Sequence, residues 1–398
     1  MNDAAAMQNA RMVPAYVNRG LSLVGGEGVY LQDPMGMRYL DLMSSYGTAN
    51  FGYRHPILTE CFEQQLRRLV CLHGSFANDT RAEAAQELLA RCAGGLARVS
   101  FTNSGSEANE AALKFAALAT GKKKFVACRG GYHGKTLGAL SATEGTRHRG
   151  SFEPLIWDFR FPAYNDAAAL SEAVDNATAA LILEPIQGES GIHPAAPGFL
   201  RRAAEICRAS GALLILDEVQ TGTGRTGHFL ASHAEGITAD IVTLGKGLAG
   251  GIPIGVTMVS ARVAESIPRG AHTSTFGGNP LAAAGILAVL KLLDQPCLNH
   301  ILEVGEYCTG ALRCLDSRFV GEIRGRGLMI GFEVAHSRDL VLKALQKEHV
   351  LAIPAGENVV RLLPPYIIEK AHLDIFLEKL RRILASPLFT GAQPCAAS

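Results

Sequence analysis

Lys246 stands between Gly245 and Gly247, directly after the apolar run Ile241-Val242-Thr243-Leu244. A lysine flanked by glycines at a strand end is sterically open, and burial lowers its pKa towards the neutral, nucleophilic amine. A second apolar run, Leu213-Leu214-Ile215-Leu216, ends on Asp217-Glu218-Val219-Gln220. An acid at the end of a fully apolar strand is costly to bury without a cationic partner. A protonated pyridine nitrogen is one such partner, and Gln220 is spaced to reach a phenolic oxygen on the same ring. After Val99-Ser100-Phe101 comes Thr102-Asn103-Ser104-Gly105-Ser106-Glu107. Ser104 and Glu107 have the spacing of a capping box, and Gly105 lets a ligand approach backbone closely. Free amides and the dipole at such a helix start bind phosphate.

Two further loops add polar groups. Gly130-Gly131-Tyr132-His133-Gly134-Lys135-Thr136 sets small residues around one aromatic ring, leaving it free to stack on a flat ligand. Glu184-Pro185-Ile186-Gln187-Gly188-Glu189 puts two carboxylates on one loop after Ala180-Leu181-Ile182-Leu183. Each feature alone has a plainer explanation: a capped helix, a turn with a core tyrosine, an exposed acidic loop, a surface lysine. Their order is more informative. Phosphate cup, aromatic, acid and lysine follow successive apolar runs, and pyridoxal phosphate asks a protein for a Schiff-base lysine with an acid for its pyridinium nitrogen. Gly222-Thr223-Gly224-Arg225-Thr226-Gly227 also satisfies GxGxxG. A dinucleotide fingerprint should be the first turn after a strand and open into a helix, whereas here Asp217 to Thr221 intervenes.

The elements that must position these groups follow from the same pattern. Continuous apolar runs at Val99, Phe125, Ala180, Leu213 and Ile241 alternate with amphipathic stretches, which predicts an α/β fold with a mostly parallel sheet flanked by helices. Ligands bind such sheets at the carboxyl ends of the strands, where every group above lies. Residues 28–42 read as a hairpin turning at Asp33-Pro34-Met35-Gly36. From about Asn279 helical stretches (Leu281 to Leu293, His300 to Leu315, His372 to Leu384) frame strands at Leu328 to Val334 and Val359 to Leu363. The expected organisation is an N-terminal arm with part of a small domain (1–50), a large cofactor-binding domain (51–278), a smaller C-terminal α+β domain (279–385) and a disordered tail (386–398).

The bulk properties narrow the partners. The 398 residues carry a formal net charge of +1, which gives no electrostatic reason for a nucleic-acid or anionic-membrane partner. Nine cysteines without a CxxC pair suggest reduced thiols in a cytoplasmic protein, and no metal site is expected. Cys395-Ala396-Ala397-Ser398 matches the C-a-a-X pattern, but no basic residue or second cysteine precedes it closely, so an unmodified tail is expected.

Over Tyr16 to Leu384 the chain resembles the class III aminotransferases of fold type I, which include acetylornithine, ornithine, 4-aminobutyrate and putrescine enzymes. The resemblance rests on SSYGTANFGYRHP at Ser44, FTNSGSEANE at Phe101, GYHGKT at Gly131, EPIQGESG at Glu184, LDEVQTGTGRTG at Leu216, LGKGLAGG at Leu244 and HTSTFGGNP at His272. It implies an ω-aminotransferase moving a terminal amino group from a diamine or amino-acid-like donor to 2-oxoglutarate or pyruvate in two half-reactions. Lys246 would carry pyridoxal phosphate and shuttle the proton, and Asp217 would hold the ring nitrogen protonated. Gln220 would bond the phenolic oxygen, and Tyr132 would stack on the ring where phenylalanine is more usual. Ser104, Gly105 and Ser106 would hold the phosphate, with His133 and Glu184 also beside the cofactor. Thr275 would reach the phosphate of a neighbouring subunit, implying a homodimer with shared sites. Tyr16, Tyr46 and Ser274 match positions near the substrate entrance.

Glu189 and Arg361 match the family's dual-specificity pair: a free arginine binds the α-carboxylate in one half-reaction and pairs with the glutamate when that carboxylate is absent. One departure stands out. The usual HGRT stretch, whose arginine grips a distal carboxylate, is here His133-Gly134-Lys135-Thr136, as in putrescine-type enzymes. A lysine fits a planar carboxylate less well than arginine, which predicts weak selection for acetylornithine and 4-aminobutyrate and better use of diamines. Against this, Lys135 repels a second ammonium unless Glu189 or a tyrosine shields it. The same scaffold also serves racemases, aminomutases and decarboxylases, and a non-catalytic cofactor-binding role is the remaining alternative.

Overall fold

The computed structural model describes residues 4–92 and 94–390. Its largest sheet has seven strands in the order Arg98–Thr102, Gly255–Val259, Ile241–Leu244, Leu213–Asp217, Thr178–Leu183, Lys124–Val126 and Asp158–Arg160. The last five run parallel to one another, and Gly255–Val259 is antiparallel to both its neighbours. The predicted mostly parallel sheet is therefore present, with each apolar run expected to be a strand forming one. Thr178–Leu183, Leu213–Asp217 and Ile241–Leu244 are buried along their whole length, which is why they read as unbroken apolar runs rather than alternating ones. Two strands of this sheet escaped the sequence reading: Asp158–Arg160 alternates exposed and half-buried residues, and Gly255–Val259 sits behind a glycine-rich loop.

The helix Gly105–Thr120 crosses the sheet on an alanine face. Ala108, Ala111, Ala112 and Ala116 are fully buried, and such small side chains let the helix axis lie close to the strands. The Ser104 hydroxyl caps it by accepting from Glu107 N at 3.2 Å. The other half of the expected capping box is displaced by one residue, because the Glu107 carboxylate accepts from Asn103 N at 2.7 Å.

A four-stranded antiparallel sheet, Val320–Arg326, Met329–Val334, Val359–Leu362 and Ile353–Ala355, packs with the helices Gln295–Arg313 and Lys370–Leu384. The hairpin Tyr30–Gln32 with Arg38–Asp41 forms as expected and gains two neighbours: Gly25–Glu27, and Val350–Leu351 from the far end of the chain, which pairs with Arg38–Asp41 in parallel. Only a long-range contact could reveal that pairing. Part of the segment expected to be a disordered tail is ordered. Pro387–Thr390 forms a helical turn and Phe389 is buried, because an aromatic ring gains more from the apolar cluster than the turn loses in chain entropy. The Cys395-to-Ser398 pattern lies outside the described residues. No single helix among the described residues is long and apolar enough to cross a membrane.

Candidate active site

A cavity of about 460 Å³ opens at the carboxyl ends of the large-sheet strands, as the strand-end rule requires. Lys246, Asp217, Gln220, Tyr132, His133 and Glu184 all line it, although they come from four different strand ends. Lys246 adopts a left-handed backbone conformation (φ 48°), which breaks the strand direction and turns the residue into the cavity. Burial lowers its pKa, with Glu189 opposing and Arg361 reinforcing the shift, so the neutral amine is more populated than on a surface lysine.

Asp217 is 4% exposed, and its oxygens are unequally occupied. Oδ2 accepts from Asn109 Nδ2 at 2.7 Å and from His133 Nδ1 at 2.8 Å, whereas Oδ1 accepts, among the described residues, only from Val219 N at 3.0 Å. One carboxylate oxygen thus keeps acceptor capacity beside the cavity. Burial alone would lower the His133 pKa, but the hydrogen bond and charge of Asp217 raise it above its ordinary value. Asn109 is fixed in turn, since its Oδ1 accepts from Thr243 Oγ1 at 2.7 Å and its Nδ2 also donates to His133 O. Sequence reading passed over Asn109 and Thr243. The available signal was a lone polar residue on an alanine-rich helix face, one turn after the phosphate cup.

The cup itself has the shape of an anion cradle. A Cβ on Gly105 would lie 2.4 Å from the Val219 side chain, and one on Gly134 would lie 2.2 Å from Ser106 Oγ. Neither position accepts a side chain, so backbone lines the space. The first-turn amides of Gly105 and Ser106 have no intrahelical acceptor. Ser106 Oγ lies 2.8 Å from Thr136 Oγ1 and accepts from Lys135 N at 3.1 Å and Thr136 N at 3.2 Å, joining the cup to the Tyr132 loop. Ser104 is exposed at the cap and does not line the cavity. Glu184 holds the aromatic loop from behind, accepting from Tyr132 N at 2.9 Å and Gly188 N at 3.2 Å, and burial pushes its carboxyl pKa up.

On the opposite side Arg361 is fully buried and forms an ion pair with Glu189 (Nη1 to Oε1, 2.7 Å). The same nitrogen donates to Gln220 Oε1 at 3.2 Å, while Nε and Nη2 are buried with no hydrogen-bond partner among the described residues. Burial alone would raise the Glu189 pKa, but the charge and hydrogen bond of Arg361, helped by Lys246, hold it below its ordinary value. Tyr46 lies with its ring centroid 5.9 Å from the Arg361 guanidinium carbon. Lys135 is exposed at the mouth, where its ammonium has no hydrogen bond or ion pair among the described residues. Besides Ser104, Tyr46 and Arg361, three further sequence-selected residues lie outside the cavity lining. Tyr16 is 86% exposed, Thr275 is exposed, and Ser274 Oγ accepts from Asn103 Nδ2 and Gly277 N. The GxGxxG segment is a run of turns followed only by the short 3-10 helix Ala231–Glu235, with no helix opening on it. Among the described residues no group of three or more His, Cys, Asp or Glu side chains is placed to hold a metal ion.

Comparison with known proteins gives a consistent picture. Residues 12–384 match the family described as Aminotransferase class-III. A [LysW]-aminoadipate semialdehyde/glutamate semialdehyde transaminase of Sulfurisphaera tokodaii is 40% identical over 367 residues, 92% of this chain and 95% of that protein. An acetylornithine aminotransferase of Aquifex aeolicus is 40% identical over 375 residues, 93% of this chain and 98% of that protein. Among solved structures, an ornithine aminotransferase of Toxoplasma gondii superposes with a TM-score of 0.90 at 32% identity, covering 95% of this chain and 93% of that one. Its description reports partial occupancy of PLP at the active site.

Proposed function

This chain belongs to the class-III aminotransferases, and from that premise we propose that it transfers the terminal amino group of an amino-acid-like donor to 2-oxoglutarate with pyridoxal phosphate as cofactor. The observation that carries the reading is Arg361: fully buried, paired with Glu189 through one nitrogen, with two donor nitrogens left without a partner. A buried guanidinium with free donors is costly unless a carboxylate comes to meet them. In the half-reaction that uses glutamate or 2-oxoglutarate, the α-carboxylate takes those donors. In the other, Glu189 keeps the charge paired.

The residues around the cavity fit the cofactor. The Gly105–Ser106 amides and Thr136 would hold its phosphate, Tyr132 would face its ring, and Asp217 Oδ1 has the acceptor capacity to hold a protonated ring nitrogen. When bound, pyridoxal phosphate supplies an electron sink for the bond broken at the substrate carbon. Lys246 is the amine that would anchor it. The lowered pKa of that amine suits Lys246 Nζ to take a proton from the substrate carbon and return it. Asn109 and His133 hold the Asp217 carboxylate so that its charge needs no rearrangement during the reaction.

The distal end of the donor meets Lys135. Glu189 is committed to Arg361 and no other anion among the described residues pairs with Lys135, so no charge there shields a second ammonium. This favours a donor with a carboxylate or neutral group at that end over a diamine, and it revises the expectation drawn from the lysine alone. Exposed Thr275, Phe276 and Tyr16 agree with a second subunit completing the site, so a homodimer is part of the proposal. The test is a donor panel with 2-oxoglutarate, read as glutamate formed. Acetylornithine-type donors should exceed putrescine, and no glutamate from any terminal amine would overturn the reading.

A further inference from the structure

Ser44, Ser45, Tyr46 and Gly47 have φ values of 38°, 51°, 59° and 82°, a complete left-handed helical turn with three non-glycine residues in succession. L-residues enter this region singly and at a steric cost, because Cβ crowds the following carbonyl oxygen. A run of three persists only where its surroundings hold it, and such outliers cluster at functional sites. This one borders the active site. A Cβ on Gly47 would touch Lys246 Cδ at 3.8 Å, and Tyr46 lies over the Arg361 guanidinium.

What holds the turn is visible. Asp41 Oδ1 accepts from Met43 N at 2.9 Å and Ser44 N at 3.1 Å, and Ser44 Oγ donates to Leu363 O at 2.6 Å. Arg225 then joins the pieces. Its Nη2 donates to Ser44 Oγ at 3.2 Å and to Asn50 Oδ1 at 2.6 Å, and its Nη1 donates to Pro364 O at 2.6 Å and Leu328 O at 3.1 Å. Its guanidinium also packs on Tyr366, 4.7 Å from the ring centroid. Arg225 is 1% exposed, and the hydrogen bonds of its guanidinium all run to neutral acceptors. It thus spends a buried charge on fixing geometry. Those acceptors include the left-handed turn and the chain just beyond Arg361.

We propose that Arg225, which does not line the cavity, is a positioning residue for the carboxylate end of the pocket: it clamps the Ser44–Gly47 turn to the end of the strand bearing Arg361 and so fixes Tyr46 over that guanidinium. This rests on the functional reading above, in which Arg361 receives the carboxylate of 2-oxoglutarate. The clamp acts on one half-reaction. The donor reacts with Arg361 paired to Glu189, whereas 2-oxoglutarate needs the guanidinium held open in one orientation.

The experiment uses the holoenzyme with Ser44→Ala, which removes the Ser44 Oγ links to Leu363 O and Arg225 Nη2, and Arg225→Lys, which keeps the charge but loses the fork. For each variant the two half-reactions, the cofactor dissociation constant and the thermal midpoint are measured. Ser44→Ala should raise KM for 2-oxoglutarate by about tenfold or more, the effect of losing both hydrogen bonds of Ser44 Oγ, with kcat, donor KM and cofactor affinity each within about twofold. Arg225→Lys should exceed that effect in the same direction. Should Arg225→Lys fail to fold, the Ser44→Ala result alone decides. An unchanged KM for 2-oxoglutarate in Ser44→Ala, or an equal loss in both half-reactions with weaker cofactor binding, overturns the clamp. Absence of any turnover with 2-oxoglutarate in the natural protein overturns the functional reading as well, so the two failures are distinguishable.

Discussion

Replacing Glu189 by glutamine removes the charge opposite Arg361 while keeping the size of the side chain. The guanidinium is fully buried, its Nη1 lies 2.7 Å from the carboxylate, and Gln220 at 3.2 Å is its only other side-chain hydrogen-bond partner among the described residues. A hydrogen bond between charged groups contributes about 1.5–3 kcal/mol, and the lower end applies because the Glu189 side chain is 32% exposed and water can follow it. On the proposed reading Glu189 gives up this pair when an α-carboxylate binds, so Glu189→Gln should remove that cost from the glutamate half-reaction. The same variant leaves an unpaired cation beside a donor that brings no carboxylate. A change of 1.4 kcal/mol is tenfold, so the ratio of kcat/KM for glutamate to kcat/KM for the donor should rise by about tenfold or more. Single-turnover kinetics with each amine, followed by cofactor absorbance, give both values from one preparation. Equal changes in the two half-reactions would refute the reasoning. The pair also has a pH signature. The folded-state pKa of Glu189 lies below its ordinary value of 4.5, so the pair's stabilisation is complete above that pH and is lost as pH falls through the depressed value. In Glu189→Gln the thermal midpoint should lose this part of its acid dependence.

Asp217→Asn should leave the thermal midpoint nearly unchanged yet lower kcat by about a thousandfold, the scale seen when a preorganised charge is removed; near-normal kcat would show that the acid serves another purpose. Lys135→Arg should raise kcat/KM for acetylornithine by about tenfold, since a fork replaces a point charge, with little gain for putrescine. A natural enzyme that prefers putrescine over acetylornithine would contradict the account of the pocket mouth. Mixing inactive Lys246→Ala with an inactive Thr275 variant should restore partial activity in heterodimers, because one of the two shared sites is then intact. Full activity in a dilute, demonstrably monomeric sample would exclude the shared site.

The parts of the site that follow strands were legible in the sequence for a physical reason. A strand buried on both faces must be apolar throughout, so the first polar residue marks its end, and in a parallel sheet that end is where ligands bind. Lys246, Asp217 and Glu184 were found this way, and the Gly105 cup by its helix-start spacing. Arg361 escaped that logic. It lies inside the strand Val359–Leu362 and was picked out only by family resemblance, as was its pairing with Glu189 from 172 residues away. Asn109 and Arg225 were missed because their roles depend on partners from distant segments, and no local period reports that Arg225 reaches Ser44 across 181 residues. The left-handed turn at Ser44 is equally hidden, since nothing in Ser-Ser-Tyr-Gly prefers that conformation over a common turn. The pairing of Val350–Leu351 with Arg38–Asp41 was invisible for the same reason.

The claim on which all of this depends is that Lys246 carries the cofactor. Borohydride reduction of the enzyme loaded with pyridoxal phosphate, followed by peptide mass spectrometry, tests it directly. The account predicts loss of the near-visible absorbance band and one modified peptide, with the reduced cofactor on Lys246. A label on any other lysine, or a bleached protein with no covalent cofactor, would contradict it.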